Sequence, residues 1–563
     1  MAEDFMTAAV KRVEAQFEKS GVSENCAAFE RKENQIEMRD GVKLHTIYYF
    51  PKEDTAEEKT YPVILTRTCY PGNDRIHRAY GEGLARRGYV YVYQYCRGRE
   101  NSEGKWEPNI NERKDGIDTM NYLVEQPWCE ILGYWGHSYT SMTGWAFADA
   151  AEGKVAAMFL EDYGTDRFTS AYEKGCFRHD ILTAWSMENA EKPVNADYRE
   201  SCRYLPQIEV DEALWGQRVP SYREYITSPN PDAALWQTGW WKQLREIPSK
   251  TKVPIYLLSG WYDHHHGSSM KTWERLNEET KQHSWLEIGA WNHFFQICLE
   301  GKEVMHPQNE EIPKMLEWFE LTLKQKEIPT QRIRAYEIGA DRWMDTVSDG
   351  LGEKGTAGSM TLYLDEKTLR TDTPEQEKTR NYTFDPATPV ESIGGEALLH
   401  TMPQIGSHLQ MEPDYREDVL SFVSEPLEET FTLNGKASVR LFVESDCEDT
   451  AFTAKIMEVT PEGKAYNIRS SIATLEQGKT EAGTYEPGSV AEVQITMWNI
   501  VYTILKGSRI RVDVSSSDFP QYHVHSNQKG LWSEKTENKI AHQTIHTGGV
   551  HASCVILPLM KKQ

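Results

Sequence analysis

The sequence GYWGHSYTSM, Gly133–Met142, places a serine between a strand-like run and a helix-like run. The apolar run Glu130–Trp135 leads into Gly136–Thr140, GHSYT, which matches the pattern G-x-S-x-G except that Thr140 replaces the second glycine. In that pattern the serine occupies a strained turn between a strand and a helix, where small neighbours permit tight packing. Ser138 is therefore a candidate nucleophile, and a turn that merely resembles the pattern is the alternative.

Two further residues stand where partners of such a serine are expected. A serine alcohol needs a base to take its proton and a third group to orient that base, in the chain order nucleophile, acid, histidine. Asp263 follows the apolar run Val253–Ser259, and His293 follows the next one, Ser284–Ile288. A lone Asp at a strand end usually caps a turn, and a lone His usually fills surface or core. Three such residues in the right order favour a catalytic triad.

Strand-like and helix-like runs alternate before residue 165. A hairpin turn at Asp40-Gly41 precedes them, because this dipeptide accepts the positive φ of a tight turn. Alternation of this kind predicts a mainly parallel sheet covered by helices. The strand candidates are Pro62–Thr68, Tyr89–Cys96, Glu130–Trp135 and Val155–Leu160, and the helix candidates are Ala79–Arg87, Glu112–Gln126 and residues 139–150.

The pattern changes twice farther along the chain. Residues 166–249 are rich in Trp, Tyr, Arg and Glu without strand periodicity, which indicates a helical insertion. Beyond residue 330, short strands separated by Gly, Pro and Asp turns favour a β-sandwich. The predicted division is 1–165 for the first part of an α/β core, 166–249 for a helical cap, 250–330 for the second part of the core and 331–563 for the C-terminal β domain.

Composition limits the partners and the compartment. The chain has 62 basic and 86 acidic residues and a formal net charge of -24, which repels nucleic acid and anionic membrane surfaces. Nine scattered cysteines without a C-x-x-C pair are not a disulfide framework. The N-terminus predicts an amphipathic helix through Val10, Val13 and Phe17 and lacks the apolar segment of a signal peptide. These features predict a cytoplasmic protein and leave open whether it forms a homo-oligomer.

Several further motifs lie on both sides of Ser138, Asp263 and His293. They are Met38–Leu44, Arg97-Gly98 with Ser102–Gly104, Asp115-Gly116, Gln126–Cys129, Gly136–Tyr139, Gly260–Asp263, Trp291–His293 and Lys506–Arg511. With these motifs the sequence, from residue 36 to about residue 525, resembles the CocE/NonD α/β-hydrolases, the cocaine esterase and X-Pro dipeptidyl-peptidase (S15-like) group. The resemblance implies an α/β-hydrolase core with a helical cap and a C-terminal jelly-roll (galactose-binding-like) domain. It also implies that Ser138, Asp263 and His293 form the catalytic triad of a serine hydrolase.

The resemblance further implies an oxyanion hole made by a tyrosine hydroxyl and by the backbone N–H after the serine. Tyr70, just past a strand, fills the tyrosine motif, and Tyr139 supplies the N–H. No cofactor is implied. The run His264–His266 invites a metal site, but adjacent histidines in an extended chain point in alternating directions, and no other ligands stand nearby at a metal-site spacing. We therefore predict pocket-lining or surface histidines and no metal.

Three positions depart from the family pattern: Thr140 and Ala290 replace a glycine and a proline, and Cys96 precedes Arg97 where an aspartate is usual. The predicted substrate is a small-molecule ester, amide or short peptide that is cleaved through an acyl-enzyme. X-Pro dipeptidyl-peptidase, α-amino acid ester hydrolase and an inactive ligand-binding protein on the same scaffold remain as alternatives. Because the cap acids Glu173 and Asp180 do not single out an ammonium site, we expect simple esters to react faster than dipeptidyl anilides.

Overall fold

Two large β-sheets organise the protein, of ten and thirteen strands. The structure is a computed structural model that describes residues 2–52, 59–346, 351, 355–397, 402 and 404–561. The strands up to residue 346 are β1 (Ala28–Glu37), β2 (Lys43–Lys52), β3 (Tyr61–Thr68), β4 (Val90–Tyr95), β5 (Cys129–His137), β6 (Val155–Glu161), β7 (Tyr172–Glu173), β8 (Cys176–Phe177), β9 (Ile255–Gly260), β10 (Trp285–Gly289), β11 (Arg332–Glu337) and β12 (Arg342–Thr346).

The first sheet has the order β1-β2-β4-β3-β5-β6-β9-β10-β11-β12. Its central pairs, from β4/β3 to β10/β11, are parallel, and only the pairs at its two edges are antiparallel. Strands β4, β9 and β10 are buried along their whole length, as expected of parallel strands with helices on both faces. The predicted mainly parallel sheet is confirmed.

Helices cover this sheet and fill the cap. Between β6 and β9 lie seven of them, α5–α11, together with the hairpin β7–β8. The helices are α1 (Ala2–Lys19), α2 (Asp74–Arg86), α3 (Glu112–Val124), α4 (Tyr139–Trp145), α5 (Arg167–Ala171), α6 (His179–Glu188), α7 (Tyr198–Arg203), α8 (Val210–Ala213), α9 (Pro220–Ile226), α10 (Ala234–Gln237), α11 (Gly239–Lys250), α12 (His266–Arg275), α13 (Glu278–Lys281), α14 (Glu311–Phe319) and α15 (Leu475–Gly478).

The N-terminal helix α1 is amphipathic, as predicted. Val13 and Phe17 are buried, and α1 contacts α2 and α14. The close approach of α1 to α2 depends on Gly83 of α2, where a Cβ atom would lie 2.4 Å from the ring of Phe17. The guanidinium of Arg87 lies 4.9 Å from the centre of the same ring and donates to the carbonyl oxygen of Phe17. These contacts fix α1 against the first sheet.

The second sheet is antiparallel except for one parallel pair, β14 with β16. It forms the C-terminal β domain, which confirms the expected fold class. Its strands are β13 (Thr356–Asp365), β14 (Thr368–Arg370), β15 (Lys378–Phe384), β16 (Leu420–Ser424), β17 (Phe431–Gly435), β18 (Ser438–Ser445), β19 (Ala451–Val459), β20 (Ala465–Thr474), β21 (Ala491–Thr496), β22 (Ile500–Ile504), β23 (Arg509–Ser515), β24 (Ala541–Thr547) and β25 (Cys554–Met560).

The change of sheet comes later than the predicted boundary at residue 330. Strand β11 pairs in parallel with β10, with Trp285 opposite Arg332, and β12 follows it as an antiparallel edge. Ile333 and Ala335 are buried there, so the apolar positions of β11 complete the core of the first sheet. A strand pattern in a sequence identifies the strand but not the sheet that it joins, which is why the sequence placed β11 in the second sheet.

Two general features accompany this architecture. Within the described residues, no helix has both the length and the apolar character needed to cross a bilayer. None of the nine cysteines forms a disulfide in the described chain.

Candidate active site

The turn around Ser138 joins the end of β5 directly to the start of α4. Ser138 has φ +57° and ψ -125°, a conformation that is strained for a residue with a side chain. The turn is tight enough that a Cβ atom at Gly136 would lie 2.2 Å from the carbonyl oxygen of Thr140. Gly136 is therefore required for the turn that presents the serine, as the sequence pattern predicts.

Thr140, which departs from the sequence pattern, is accommodated by hydrogen bonds. Its hydroxyl oxygen accepts from the backbone N–H of His137 at 2.6 Å and donates to the carbonyl oxygen of the same residue at 2.7 Å. The side chain is buried. The side chain of Thr140, at a position where the pattern has a glycine, thus links the two ends of the turn.

Ser138, His293 and Asp263 lie in one hydrogen-bonded line. Nε2 of His293 is 2.9 Å from the hydroxyl oxygen of Ser138, and Nδ1 is 2.5 Å from Oδ2 of Asp263. The other carboxylate oxygen of Asp263 accepts from the backbone N–H of His265 at 2.6 Å. Asp263 and His293 are both buried. An imidazole between a hydroxyl and a carboxylate in this way is able to take the proton of the hydroxyl.

A second carboxyl group, Asp162, lies beside this line. It follows β6, and its Oδ2 is 3.6 Å from Nε2 of His137. Within the described residues neither oxygen of Asp162 has a hydrogen-bond partner. Burial, followed by the nearby carboxylate of Asp263, raises the pKa of Asp162 well above its usual range. Burial therefore favours the neutral form of Asp162, and the carboxyl group that is hydrogen-bonded to His293 is that of Asp263.

His137 faces the same histidine from the turn. Its Nε2 lies 2.9 Å from the carbonyl oxygen of His293, an atom that only accepts, so this nitrogen carries a proton. Burial lowers the pKa of His137, so its ring is neutral. This hydrogen bond holds the backbone of His293 in place and thereby positions its imidazole.

Tyr70 and Tyr139 lie next to the serine. The ring centres of the two tyrosines are 6.3 Å apart, edge to face. Burial raises the pKa of Tyr70, while hydrogen bonds with Trp185 and Ser138 act in the opposite direction. The hydroxyl therefore keeps its proton and is a donor beside Ser138. As the first residue of α4, Tyr139 has a backbone N–H without an acceptor inside the helix.

Trp185 of the cap helix α6 orders these two tyrosines. Its Nε1 lies 3.4 Å from the hydroxyl oxygen of Tyr70, and its ring stacks on that of Tyr139 with centres 5.5 Å apart. The hydroxyl of Tyr139 in turn donates to Glu112, which also accepts from the thiol of Cys96 at 3.2 Å. Cys96, a departure from the family pattern, thus belongs to the polar network beneath the turn.

The histidines that follow Asp263 divide between the cavity and the core. His264 and His265 line the cavity that contains Ser138, with the ring of His264 4.2 Å from that of His293. His266 is buried behind them, and its Nε2 lies 3.2 Å from the carbonyl oxygen of Asn499. Burial lowers the pKa values of all three well below the usual histidine range. Asp263, His264 and His293 are close enough to hold a metal ion, but Asp263 and His293 are already hydrogen-bonded to each other in the line described above.

The cavity around Ser138 has a volume of about 820 Å³, large enough for a small organic substrate. One wall is formed by α1, through Met6, Ala9 and Arg12. Nη1 of Arg12 donates to the carbonyl oxygen of Phe294 at 3.1 Å. Near it, burial raises the pKa of Glu311 to about 7, against the opposing effect of Arg12.

The C-terminal β domain supports the loop that carries Asp263. Arg469 of β20 is buried, and its Nη1 donates to the carbonyl oxygen of Trp261 at 2.6 Å. Its Nη2 donates to the carbonyl oxygen of Asn499 at 2.7 Å, and its charge is paired with that of Glu396. The two sheets are thereby joined directly behind the acid.

Comparison with known proteins identifies the family of the chain. A family model described as X-Pro dipeptidyl-peptidase (S15 family) matches residues 40–295, and one for the X-Pro dipeptidyl-peptidase C-terminal non-catalytic domain matches residues 329–556. The chain belongs to the S15 family. It is a serine hydrolase of the esterase or dipeptidyl-peptidase type. The second family model begins at residue 329, although β11 and β12 are hydrogen-bonded into the first sheet.

Similar proteins span nearly the whole length of this S15 hydrolase. Cocaine esterase of Rhodococcus sp. is 27% identical over 94% of this chain and 98% of its own. An aminopeptidase from a marine sediment Thaumarchaeota archaeon superposes with a TM-score of 0.80 at 21% identity, covering 95% of this chain and 96% of its own. An α-amino acid ester hydrolase superposes with a TM-score of 0.81 at 21% identity, covering 95% and 97%. At these identities the structural likeness shows the fold.

Four residues near Ser138 were not identified from the sequence: Arg12, Asp162, Arg167 and Trp185. Asp162 could have been identified from the sequence, because it follows the strand candidate Val155–Leu160 in the same way that Asp263 follows its own strand. The others lie on α1 and in the cap, where the sequence has no pattern that points to the serine.

Proposed function

We propose that this S15 hydrolase cleaves a carboxylic ester or amide by transferring the acyl group first to Ser138 and then to water. The observation that carries the proposal is the line of hydrogen bonds from Ser138 through His293 to Asp263, with distances of 2.9 and 2.5 Å. A serine alcohol is unreactive without a base at this distance, and the base needs an anion behind it.

In the first step the hydroxyl oxygen of Ser138 attacks the carbonyl carbon of the substrate. Nε2 of His293 takes the hydroxyl proton as the new C–O bond forms, and Asp263 stabilises the imidazolium that results. The π electrons of the carbonyl move to its oxygen, which becomes the oxyanion of a tetrahedral intermediate. His293 then gives its proton to the leaving alkoxide or amine as the bond to that group breaks.

The oxyanion is held by the hydroxyl of Tyr70 and the backbone N–H of Tyr139. Both donors are in place before the substrate binds, since Trp185 contacts both tyrosines. A preorganised donor of this kind typically contributes about 3 kcal/mol to lowering the barrier. In the second half of the reaction, water deprotonated by His293 attacks the acyl-enzyme, and the same donors hold the second oxyanion. The bond to Ser138 then breaks, its oxygen takes the proton back from His293, and the carboxylic acid leaves.

Ester substrates fit the cavity better than X-Pro dipeptides do. A dipeptidyl peptidase must bind the ammonium of its substrate, and this requires carboxylates that are fixed and ionised close to the serine. Asp180 is paired with Arg178 at 3.3 Å, and Glu173 lines a different cavity. Two carboxylates line the Ser138 cavity: Glu311 lies close to Arg12, and Glu188 is exposed to solvent. We therefore place the esterase first and keep X-Pro dipeptidyl-peptidase as the second candidate because of the family match.

The experiment is a comparison of chromogenic acyl esters with Ala-Pro nitroanilide and its N-acetylated form on the full chain. The proposal expects ester hydrolysis that is abolished in Ser138→Ala and little advantage for the free amine. A kcat/KM for Ala-Pro nitroanilide about 10³-fold above that of the acetylated form would make the dipeptidyl peptidase the better description. A Ser138→Ala variant with unchanged ester hydrolysis would overturn the mechanism.

A further inference from the structure

Arg167 is a buried cation in the wall of the cavity that contains Ser138. It is the first residue of α5, in the cap, and its exposed fraction is only 6%. Tyr163, His264 and His265 line the same cavity. On its other side the guanidinium lies over the rings of Tyr225 and Trp241, 5.4 and 5.9 Å from their centres. Aromatic packing on one side leaves the cavity side as the place where the guanidinium can meet a ligand.

No carboxylate of the described residues is paired with Arg167, although Glu188 and Glu311 line the same cavity. Its neighbour Asp166 is paired with Arg275 at 2.8 Å, facing away from the Ser138 cavity. Burial raises the pKa of Tyr163 to about 12 and also raises that of Tyr225, while hydrogen bonds with Arg167 act in the opposite direction on both. Both hydroxyls are therefore neutral and give Arg167 no anion. The two cavity histidines, whose pKa values are lowered, are neutral as well.

This distinguishes Arg167 from the other buried arginines. Six arginines are buried in the described part of the chain, and five of them have a carboxylate oxygen within 3.7 Å. Arg167 forms no ion pair with a carboxylate of the described residues, and its Nε has no hydrogen-bond acceptor there. The five paired arginines are Arg67, Arg87, Arg178, Arg469 and Arg511.

Burying a guanidinium without an anion is unfavourable, and a planar guanidinium matches a carboxylate with two parallel hydrogen bonds. We propose that Arg167 binds a free carboxylate of the substrate whose ester or amide carbonyl is attacked by Ser138. This rests on the proposed function and names its substrate class: monoesters or monoamides that bear a carboxylate. The same charge repels an ammonium group, which agrees with the preference for esters over free-amine peptides.

The test compares Arg167→Gln with the wild-type chain on two matched pairs of esters. In the first pair the carboxylate is on the acyl side: para-nitrophenyl hemiglutarate against para-nitrophenyl pentanoate, in which a methyl replaces the carboxyl. In the second it is on the leaving group: para-acetoxybenzoate against its methyl ester. For each ester, the kcat/KM of the variant is divided by the kcat/KM of the wild type, which cancels the intrinsic reactivity of that ester.

We expect Arg167→Gln to lower kcat/KM about 100-fold for the anionic member of at least one pair, and less than about threefold for its neutral partner. Arg167→Lys keeps the charge but not the planar fork. It should lower kcat/KM for the same anionic ester, but by less than Arg167→Gln does. If Arg167→Gln lowers kcat/KM by the same factor for the charged and neutral members of both pairs, or changes neither, the proposal is overturned and Arg167 is a packing residue.

Two further measurements keep this result separate from the proposed function. Hydrolysis of neutral esters that depends on Ser138 supports the proposed function whatever Arg167 does. If no ester is hydrolysed, or if Arg167→Gln does not fold, calorimetric titration of the wild-type chain tests whether the cavity binds a carboxylate. The ligands are glutarate and para-hydroxybenzoate, each compared with its neutral amide. Binding of either carboxylate at least about tenfold tighter than that of its amide supports the anion site. Equal binding, or none, overturns it.

Discussion

The two carboxyl groups beside His293 differ in their hydrogen bonds. Asp263 accepts from Nδ1 of His293 and from the backbone N–H of His265, whereas the oxygens of Asp162 make no close hydrogen bond in the described chain and have His137 at 3.6 Å. Hydrogen bonds to the ionised form favour ionisation, and burial without them opposes it. The pKa of Asp162 is raised accordingly. One negative charge in this place stabilises an imidazolium, and a second would repel the first.

This difference predicts opposite results for two isosteric substitutions. Asp162→Asn replaces a neutral acid with a neutral amide, so kcat should change less than about fivefold. Asp263→Asn removes the charge and places a donor against Nδ1, so kcat should fall by about 10⁴. Steady-state kinetics on the best ester substrate measures both. A loss in Asp162→Asn as large as that in Asp263→Asn would mean that the charge resides on Asp162.

The hydroxyl of Tyr70 gives a second prediction at this scale. Tyr70→Phe keeps the ring against Tyr139 and removes only the donor. If the hydroxyl binds the oxyanion, kcat should fall by about 10² with the free energy of unfolding little changed. An unchanged kcat with a raised KM would show instead that Tyr70 binds the ground state.

At the scale of elements, the strand–turn–helix around Ser138 depends on a side chain that the sequence pattern does not contain. Thr140→Val keeps the shape but removes the hydroxyl that pairs with the N–H and carbonyl groups of His137. Leaving a buried polar group unpaired costs about 1–3 kcal/mol, so urea unfolding should show a loss of this size, and kcat should fall as the turn relaxes. Thr140→Ser is the matched control and should stay close to the wild type. Equal stability of the two variants would contradict the role assigned to the hydroxyl.

Elements with local patterns were predictable from the sequence, and contacts between distant elements were not. The alternation before residue 165 and the order of Ser138, Asp263 and His293 are read along the chain, and the structure brings these three residues together. Trp185 meets Tyr70 across 115 residues, from a cap of short helices that have little periodicity. Likewise, the apolar pattern of β11 does not reveal its pairing with β10.

At the scale of the whole molecule, the cavity is assembled from three regions, and the second sheet supports it from behind. The first sheet supplies Ser138 and its partners, the cap supplies Trp185 and Arg167, and α1 closes one wall. The acid loop is held through Arg469 of β20. We infer that the C-terminal domain acts on catalysis through the position of Asp263 and not through contact with the substrate.

Arg469→Met tests this inference. It leaves Glu396 buried without its partner and removes the hydrogen bond to Trp261, so we expect a loss of about 3–5 kcal/mol in the free energy of unfolding. We also expect kcat to fall in the fraction that stays folded, with KM little changed. Lys252→Met, which breaks the exposed pair between Lys252 and Glu152, is the control and should cost at most about 1 kcal/mol. Similar Tm values for the two variants would contradict the supporting role of Arg469.

The most direct measurement of the central claim is labelling with a fluorophosphonate, followed by intact-mass and peptide mass spectrometry. The hydrogen-bonded line from Ser138 through His293 to Asp263 predicts one adduct per chain, located at Ser138. Labelling should be lost in Ser138→Ala and should be strongly slowed in Asp263→Asn. An adduct on a different serine, or undiminished labelling of Ser138→Ala, would contradict the claim that Ser138 is the nucleophile.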